Sequence, residues 1–329
     1  MLGLISGYWL SQLVFVVARL GVADALTKGP QTAGAIARRV GANAPFLHRV
    51  LRALASVGVF AEGAGGRFRL TPLGQTLRAD RPGSLRSFAL MMVDDYNWQA
   101  WGGLAHAATT GGLPFEKSFG MPIFGYLQQH PDKERTFAAS MASISGTENA
   151  AVAKAYPFGE LELLVDVGGA HGHLLATILG RHRKLRGVLY DQPQVVAAAK
   201  KSGFLTAPAV RMRSEISGGS FFDAVPAGAD GYVMKYILHD WDDDKSVKIL
   251  ANCRDAMAPQ GRVLVVEHVI PPGNAASWGK LLDINMMVLT GGQERTREQF
   301  RDLLARAGLR LKRIVPTACP LSIVEAVRA

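Results

Sequence analysis

The residues best suited to chemistry lie in a glycine-rich turn at residues 163–172, Leu-Leu-Val-Asp-Val-Gly-Gly-Ala-His-Gly. An apolar run reaches Asp166, and Gly168 and Gly169 then remove the side chains where a strand would pass into a helix. Such a turn lets a ligand touch the main chain, and the free N–H groups of the following helix favour an anion. A dinucleotide fingerprint needs glycines at its first, third and sixth positions. Counted from Gly168, the third and sixth positions hold alanine and histidine, so the sequence does not carry that fingerprint.

A second residue that could bind a ligand is Asp191, which ends another apolar run and lies about 25 residues after Asp166. In a doubly wound sheet, a carboxylate at this separation binds ribose hydroxyls. An aspartate in an exposed turn before Pro193 is the alternative interpretation.

The elements that must position these residues alternate between strand and helix from Glu162 onward. The predicted strands are Leu163–Val167, Gly187–Tyr190, Val210–Arg213, Gly231–Met234 and Arg262–Glu267. This alternation predicts an α/β fold with a parallel sheet covered by helices on both faces. The apolar runs 309–315 and 320–327 predict an antiparallel hairpin at the sheet edge. Ligands bind beyond the C-terminal ends of such strands, where Asp166, Asp191, Lys235 and Glu267 fall.

The first hundred residues have a different pattern, three helices followed by a two-stranded hairpin, which predicts a winged helix. Residues 84–160 are predicted to be helices broken at glycines and prolines. We therefore expect a winged-helix dimerisation domain at 1–100, a helical linker with part of a substrate pocket at 101–160, and a catalytic domain at 161–329.

Composition narrows the classes of function. The 329 residues carry a formal charge of +10, but basic residues are spread along the chain, which argues against a nucleic-acid partner. Two cysteines form no disulfide framework, so we expect a cytoplasmic protein. Residues 2–18 are too short and too mixed for a membrane span. We expect them to form an amphipathic helix that packs against another subunit.

Several segments in order along the chain resemble the metal-independent small-molecule O-methyltransferase family, which includes plant caffeic-acid-type enzymes and bacterial enzymes for polyketides, carotenoids and phenazines. The matching segments are 51–60 (LRALASVGVF), 70–74 (LTPLG), 165–169 (VDVGG), 191–193 (DQP), 238–241 (LHDW), 267–268 (EH) and 291–296 (GGQERT). The resemblance implies a class I methyltransferase Rossmann-like sheet, S-adenosylmethionine as cofactor and a homodimer that forms through the N-terminal domain.

The resemblance also implies which residues bind the cofactor. Asp166, Gly168 and Gly169 correspond to the first methyltransferase motif, and Asp191 to the carboxylate on the ribose. Phe221 corresponds to a residue that stacks on adenine, and Ser220 stands where many relatives have an acidic residue. The remaining cofactor contacts that the resemblance implies are Lys235 and Ser145, the latter on the methionine carboxylate.

His239 is the general base that the resemblance implies, with Glu267 and Glu294 as the glutamates that bracket it. A phenol with a pKa near 10 is about one part in a thousand ionised at pH 7, so removing its proton during attack lowers the barrier. A carboxylate on the far imidazole nitrogen would fix the tautomer and stabilise the imidazolium.

The acceptor pocket is expected to be apolar and aromatic, for a hydroxylated aromatic or polyketide-like molecule. Its predicted residues are Trp98, Phe137, Met141, Asp240 and Met286. The aspartates after His239 begin a helix and need no metal, so we expect no metal site.

Three alternatives to O-methylation stay open at this point. An amine acceptor would make the enzyme an N-methyltransferase, which needs less base catalysis. A cofactor-binding relative that does not methylate, a hydroxylase or cyclase, is the second alternative. A winged-helix DNA-binding regulator is the third, and it predicts salt-sensitive binding to a duplex.

Overall fold

The computed structural model describes residues 1–329 apart from the side chain of Thr147. It divides into two compact units, the first formed by residues 1–102 and 124–146 and the second by residues 103–123 and 147–329. The domain boundaries predicted after residues 100 and 160 stay predictions.

The helices and strands of the N-terminal half come in this order: α1 (Leu2–Ile5), α2 (Gly7–Leu20), α3 (Val22–Ala25), β1 (Gln31–Thr32), α4 (Ala33–Val40), α5 (Ala44–Ser56), β2 (Phe60–Gly63), β3 (Arg67–Leu70), α6 (Pro72–Gln75), α7 (Arg86–Met92), α8 (Asp95–Gly102), α9 (Leu104–Thr110), α10 (Pro114–Phe119), α11 (Ile123–Gln129) and α12 (Pro131–Ala155).

The C-terminal half continues with β4 (Leu163–Val167), α13 (His173–Arg181), β5 (Arg186–Asp191), α14 (Pro193–Ser202), α15 (Pro208–Arg211), β6 (Ser214–Gly218), β7 (Gly231–Lys235), α16 (Asp243–Ala256), β8 (Arg262–Glu267), β9 (Val269–Ile270), α17 (Trp278–Leu289), β10 (Arg295–Thr296), α18 (Arg297–Arg306), β11 (Leu309–Pro316) and β12 (Ser322–Arg328).

In the first unit, α4 and α5 precede the β2–β3 hairpin, as the winged-helix pattern predicts. Thr32 caps α4 by accepting the N–H of Ala35, and Asn43 caps α5 by accepting the N–H of Phe46. A two-residue strand that the sequence pattern does not predict, β1, pairs antiparallel with β3. Among the described residues, every helix is too short or too polar to span a bilayer.

A seven-stranded sheet forms the centre of the second unit, in the order β11-β12-β8-β7-β4-β5-β6. Strands β4 to β8 are parallel to their neighbours, and β12 and β11 add an antiparallel hairpin at one edge. The predicted fold class is confirmed.

Side chains along each strand point alternately to the two faces of the sheet, so the apolar core of this unit has one part on each face. Val165 and Val167 of β4 pack with α16 and α18, whereas Leu164 packs with α13 and α14 on the other face. A strand with apolar residues on both faces must be covered on both, so helices flank the sheet on each side.

The third predicted strand, Val210–Arg213, is wrong. Residues Pro208–Arg211 form α15, because proline fits the first turn of a helix, and the strand follows at Ser214–Gly218. That strand, β6, lies at the edge of the sheet, where only one side has a neighbour. Because β6 is largely polar, a search for apolar runs does not predict it as a strand.

A small parallel pair, β9 with β10, sets the position of the Gly-Gly-Gln-Glu-Arg-Thr segment. Arg295 pairs with Val269 and Thr296 with Ile270. Because β9 directly follows β8, this pairing brings Glu294 beside the C-terminal end of β8.

A buried carboxylate, Glu325 of β12, holds the two strands of the terminal hairpin together. Its side chain is fully buried, and it accepts hydrogen bonds from Arg313 Nε at 2.6 Å and Lys312 Nζ at 3.1 Å. Burial raises the pKa of Glu325, but the hydrogen bonds from these two cations outweigh burial and leave it below its usual value. The carboxylate therefore stabilises the fold while it is ionised.

We expect the E325Q substitution to lower the free energy of unfolding at pH 7 by about 1–2 kcal/mol, since both cations are about half-exposed and solvent screens them. Because the pKa of native Glu325 is depressed, its contribution is full above about 4.3 and is lost as the pH falls through the folded-state value. Urea unfolding at pH 7 and pH 3 measures both effects, with exposed Glu215→Gln as control. Equal unfolding free energies for E325Q and the native chain at pH 7 would contradict this account.

Candidate active site

The predicted ligand residues of the second unit meet at the C-terminal edge of the sheet. Asp191, Lys235 and Glu267 are the last residues of β5, β7 and β8, and Asp166 is the next-to-last residue of β4. These four strands are neighbours in the order β8-β7-β4-β5, so they place the four side chains along one edge.

The glycine turn after β4 leaves no room for side chains. A Cβ at Gly169 would lie 2.6 Å from the Asp166 carboxyl, and one at Gly168 would lie 2.4 Å from Ile237 Cδ1. Gly168 also has a φ of 69°, which L side chains rarely adopt. Packing against Asp166 and Ile237 therefore requires glycine at both positions, and the turn stays partly exposed at the edge of the sheet.

Asp166 and Asp191 lie on either side of this turn. Asp191 Oδ2 accepts the N–H of Ala170 at 2.8 Å, which fixes the turn to β5. Asp166 is 1% exposed, and its Oδ2 contacts no hydrogen-bond donor among the described residues. Burial, followed by repulsion from Asp191, raises the pKa of Asp166 to about 7. A buried acceptor of this kind is suited to a ligand that brings a donor or a positive charge.

The loop after β6 holds the predicted adenine residues. Phe221 packs edge-on against Phe222 and Trp241, and a Cβ at Gly168 would lie 3.6 Å from its ring. Ser220 Oγ accepts the N–H of Phe222 at 3.2 Å. Phe221 thus lies beside the glycine turn, while the Ser220 hydroxyl takes part in its own loop.

Lys235 is held by two residues of α12 that the sequence analysis missed. Its Nζ donates to Asn149 Oδ1 at 2.8 Å and to Glu148 Oε2 at 3.1 Å. Burial lowers the pKa of Lys235, and the charge of Glu148 opposes that effect. Both α12 residues are buried although they are polar. The only sequence signal for them is two adjacent polar residues in an alanine-rich helix.

His239 lies on a short 3₁₀ turn, Leu238–Asp240, that follows β7. It is 7% exposed, and its Nδ1 lies 2.7 Å from Oε1 of Glu294, which is 2% exposed. The other ring nitrogen, Nε2, lies 3.7 Å from Asp240 Oδ1. With Nδ1 bound to a carboxylate, Nε2 is the nitrogen left to exchange a proton with a ligand.

Glu267 contacts the main chain of this turn and not the imidazole. Its Oε1 accepts the N–H groups of Ile237 at 3.2 Å and His239 at 3.1 Å. Of the two glutamates expected to bracket the histidine, Glu294 therefore binds the ring and Glu267 binds its backbone.

His239, Asp240, Glu267 and Glu294 form a cluster, and burial strongly affects the pKa values of the first three. Burial disfavours a protonated imidazole, but Asp240 and the hydrogen bond from Glu294 outweigh it and raise the pKa of His239 to about 9. Burial raises the pKa of Glu267 to about 7 and that of Asp240 to about 6. The cluster thus holds at least one proton near neutrality, on His239 first.

Two features of the Gly-Gly-Gln-Glu-Arg-Thr segment fix it against the histidine turn. A Cβ at Gly292 would lie 1.9 Å from the carbonyl oxygen of His239, so glycine is required where the two chains cross. Arg295 is fully buried and donates to the carbonyls of Leu238 at 3.0 Å and Trp241 at 3.1 Å. It also binds Asp243 Oδ1 at 2.9 Å. Arg295 was not among the site residues predicted from the sequence.

The predicted pocket residues are divided between the two units. Asp240 and the buried Met286 belong to the second unit. Trp98, Phe137, Met141 and Ser145 belong to the first unit, where the rings of Phe137 and Phe124 meet edge-on at 6.5 Å. Their roles toward a substrate stay predictions.

Comparison with protein families gives two matches that together extend over most of the chain. Residues 2–80 match an O-methyltransferase dimerisation domain, and residues 101–310 match an O-methyltransferase domain. The second match includes the glycine turn, His239 and both glutamates.

Individual proteins agree with the family matches. A phenazine O-methyltransferase, PhzM of Lysobacter antibioticus, is 44% identical over 326 residues, which cover 99% of this chain and 95% of the relative. The crystal structure of LaPhzM has a TM-score of 0.92 at 43% identity and covers 100% of this chain and 98% of its own.

A third comparison includes ligands. The O-methyltransferase NcsB1 of neocarzinostatin biosynthesis, solved with S-adenosyl-L-homocysteine and 1,4-dihydroxy-2-naphthoic acid, has a TM-score of 0.81 at 34% identity. The alignment covers 97% of this chain and 96% of that structure. The glycine turn, the sheet edge and these matches establish that this chain belongs to the O-methyltransferase family and is an S-adenosylmethionine-dependent methyltransferase.

Proposed function

We propose that this enzyme transfers a methyl group to a hydroxyl of a flat aromatic molecule, with His239 as general base. The observation that carries the proposal is the buried pair of His239 Nδ1 and Glu294 Oε1 at 2.7 Å, which leaves Nε2 for the acceptor hydroxyl. A carboxylate in that place orients the imidazole and stabilises its protonated form.

The residues at the sheet edge fit the cofactor. The unpartnered oxygen of Asp166 suits the positively charged methionine end, and Gly168 and Gly169 let it approach the main chain. Asp191 would bind the ribose hydroxyls, and Phe221 would pack against adenine. When bound, the cofactor supplies a methyl group on a sulfonium for in-line transfer to the acceptor oxygen, with a neutral thioether as the leaving group.

Further cofactor contacts follow from the family resemblance. Lys235 and Ser145 would bind at the methionine and ribose end. Ser220 would donate its hydroxyl proton to adenine while its oxygen accepts the N–H of Phe222. Their roles are part of the same proposal.

His239 would move one proton. Its Nε2 accepts the hydroxyl proton of the acceptor as the oxygen attacks, and Glu294 balances the charge that appears on the ring. A phenol has a pKa near 10, so its pKa exceeds that of His239, about 9, by about one unit. The difference would be about 3.5 units for an ordinary histidine, so proton transfer to His239 is less unfavourable. The raised pKa lowers the cost of the transfer step, but only neutral His239 accepts the proton, and the neutral fraction falls as the pH drops below about 9.

The acceptor class is inferred from the relatives. One relative is named for a phenazine, and a neighbour structure holds a dihydroxynaphthoic acid, both flat fused rings. Phe137, Met141, Trp98 and Met286 would contribute aromatic and thioether surface for such a ring, and thioethers adapt to planar molecules. Asp240, beside Nε2 of His239, would contact the polar edge of the acceptor.

A homodimer is part of the proposal. The dimerisation-domain match covers α1 and α2, and these helices leave large apolar side chains exposed, among them Leu2 at 84%, Leu4 at 83% and Trp9 at 58%. Apolar surface of this extent is typical of an interface.

The first prediction from the proposed function concerns the general base. H239Q is expected to slow methyl transfer to a hydroxyphenazine at least about a hundredfold, because proton removal by the imidazole is lost. Binding of S-adenosylhomocysteine should change by less than about threefold. Rapid-quench assay and calorimetry measure the two effects, with His48→Gln, a half-exposed histidine of the first unit, as control.

Two outcomes bear on the mechanism. Native transfer rates in H239Q would contradict the general-base role. Transfer to an aminophenazine that survives H239Q better than transfer to the hydroxyphenazine would agree with it, since an amine needs less base catalysis.

The second prediction concerns pH. Neutral His239 is the form that accepts a proton, so single-turnover methyl transfer should rise with pH, about tenfold per unit well below the pKa, and level off above about 9. E294Q removes one group that raises this pKa, so its plateau should begin at lower pH with a lower maximal rate. A native rate independent of pH between 6 and 9 would contradict the assignment.

The third prediction concerns the ribose. D191N should weaken binding of S-adenosylhomocysteine about 10- to 100-fold, because charge-assisted hydrogen bonds to the hydroxyls are replaced by weaker neutral bonds. Calorimetric titration measures the dissociation constant, and D255N on the exposed surface of α16 serves as the control. An unchanged constant in D191N would place the ribose elsewhere.

A further inference from the structure

Tyr236, which follows Lys235 and lies two residues before the 3₁₀ turn of His239, has an unusual backbone. Its φ is 57°, and among the described residues only Ala170 shares a positive φ without being glycine. A bulky side chain in this left-handed region is strained, and such strain persists where the surrounding structure imposes it, often at functional sites. Ala170 lies in the glycine turn at the cofactor edge, so both strained residues belong to the candidate active site.

The strained backbone reverses the chain directly after β7. It turns the N–H groups of Ile237 and His239 toward Glu267 Oε1, at 3.2 and 3.1 Å. It also brings the side chain of Tyr236 back over the residue three positions later. The rings of Tyr236 and His239 are stacked, with centroids 5.1 Å apart and planes 27° from parallel.

The Tyr236 ring is itself held in place. Its hydroxyl donates to Glu148 Oε1 at 2.9 Å, and Lys235 Nζ binds the other oxygen of Glu148. Burial, followed by the charge of Glu148, raises the pKa of Tyr236, so the ring remains a neutral phenol. A neutral, anchored ring presents a π face of fixed orientation to the imidazole.

We propose that Tyr236 is a positioning residue for His239, whose ring fixes the plane of the imidazole and stabilises its protonated form. The proposal rests on the proposed function, in which that protonated form appears during methyl transfer. An aromatic face near a cation attracts it through the ring quadrupole. Glu294 holds Nδ1 in the plane of the imidazole, and Tyr236 holds one face.

Other groups also set the charge of the imidazole, so the effect of the ring must be separated from theirs. The titratable and charged groups around the two rings are Asp240 beside Nε2, Glu294 on Nδ1, Glu267 on the backbone, His268 with its ring 6.1 Å from that of Tyr236, Glu148 on the Tyr236 hydroxyl, and Lys235 with Nζ 5.4 Å from the Tyr236 ring centroid.

The test compares two variants at one position. Y236L keeps a large apolar side chain on the same strained backbone but removes the ring, whereas Y236F keeps the ring and removes the hydroxyl. The full-length protein without acceptor is titrated by NMR of ¹⁵N-labelled imidazoles, with His239 assigned from the signal missing in H239Q. This measurement needs no turnover, so it stands even if the acceptor class is wrong.

We expect the pKa of His239 to fall by about half a unit to one unit in Y236L and to stay within about 0.3 units of the native value in Y236F. In a methyl-transfer assay, Y236L should lose about 3- to 10-fold in kcat, with the KM for S-adenosylmethionine within about twofold.

An unchanged His239 pKa in Y236L would overturn the proposal, and so would an equal fall in Y236L and Y236F, which would assign the effect to the Glu148 hydrogen bond. If Y236L does not fold, Y236N replaces it, because asparagine tolerates the left-handed region. A shifted pKa together with native methyl transfer in H239Q would leave the stacking effect intact and refute the general-base function instead.

Discussion

The hydrogen bond between His239 Nδ1 and Glu294 Oε1 is the interaction on which the arrangement of the site depends. Two buried ionisable groups meet there, and a buried pair is stable only when its geometry is fixed by other contacts. The pairing of β9 with β10 supplies one constraint by bringing Glu294 beside β8. The crossing at Gly292 and the buried guanidinium of Arg295 supply the others, since both hold the Glu294 segment against the histidine turn. Glu267 completes the arrangement from the main-chain side.

The proposed cofactor contacts and the proposed general base share one strand end. Lys235 closes β7 and faces Asn149 and Glu148, while the next residue, Tyr236, turns the chain toward His239. Glu148 binds both of these residues, so a single carboxylate of α12 links Lys235 to the ring that stacks on His239. The distance between the two sides of the site is therefore set by β7 and the turn that follows it.

The fold and part of the candidate site could be predicted from the sequence, where periodicity or glycine spacing carries the information. The parallel sheet follows from alternating apolar runs, and the glycine turn follows from Gly168 and Gly169. The structure explains why these residues are glycine, because a Cβ there would lie only 2.4 and 2.6 Å from neighbouring side chains. The edge strand β6 was misplaced, because a strand with one neighbour needs few apolar residues.

Residues that act through tertiary contacts left little sequence signal. Arg295, Glu148 and Tyr236 are a buried cation, a buried acid and a strained aromatic residue, and each could equally be a surface residue by its type alone. Some of their side-chain hydrogen bonds reach far along the chain, over 49 positions from Arg295 to Ser246 and over 88 from Tyr236 to Glu148. Only the fold brings such pairs together.

The most direct test of the central claim follows the methyl group itself. The enzyme is incubated with S-adenosylmethionine carrying a ¹³C methyl and with a hydroxyphenazine or 1,4-dihydroxy-2-naphthoic acid, and the product is examined by mass spectrometry and NMR. The account predicts one labelled methyl on an aromatic oxygen, with S-adenosylhomocysteine formed in equal amount. Label on nitrogen or carbon, or conversion of the acceptor without S-adenosylhomocysteine, would contradict it.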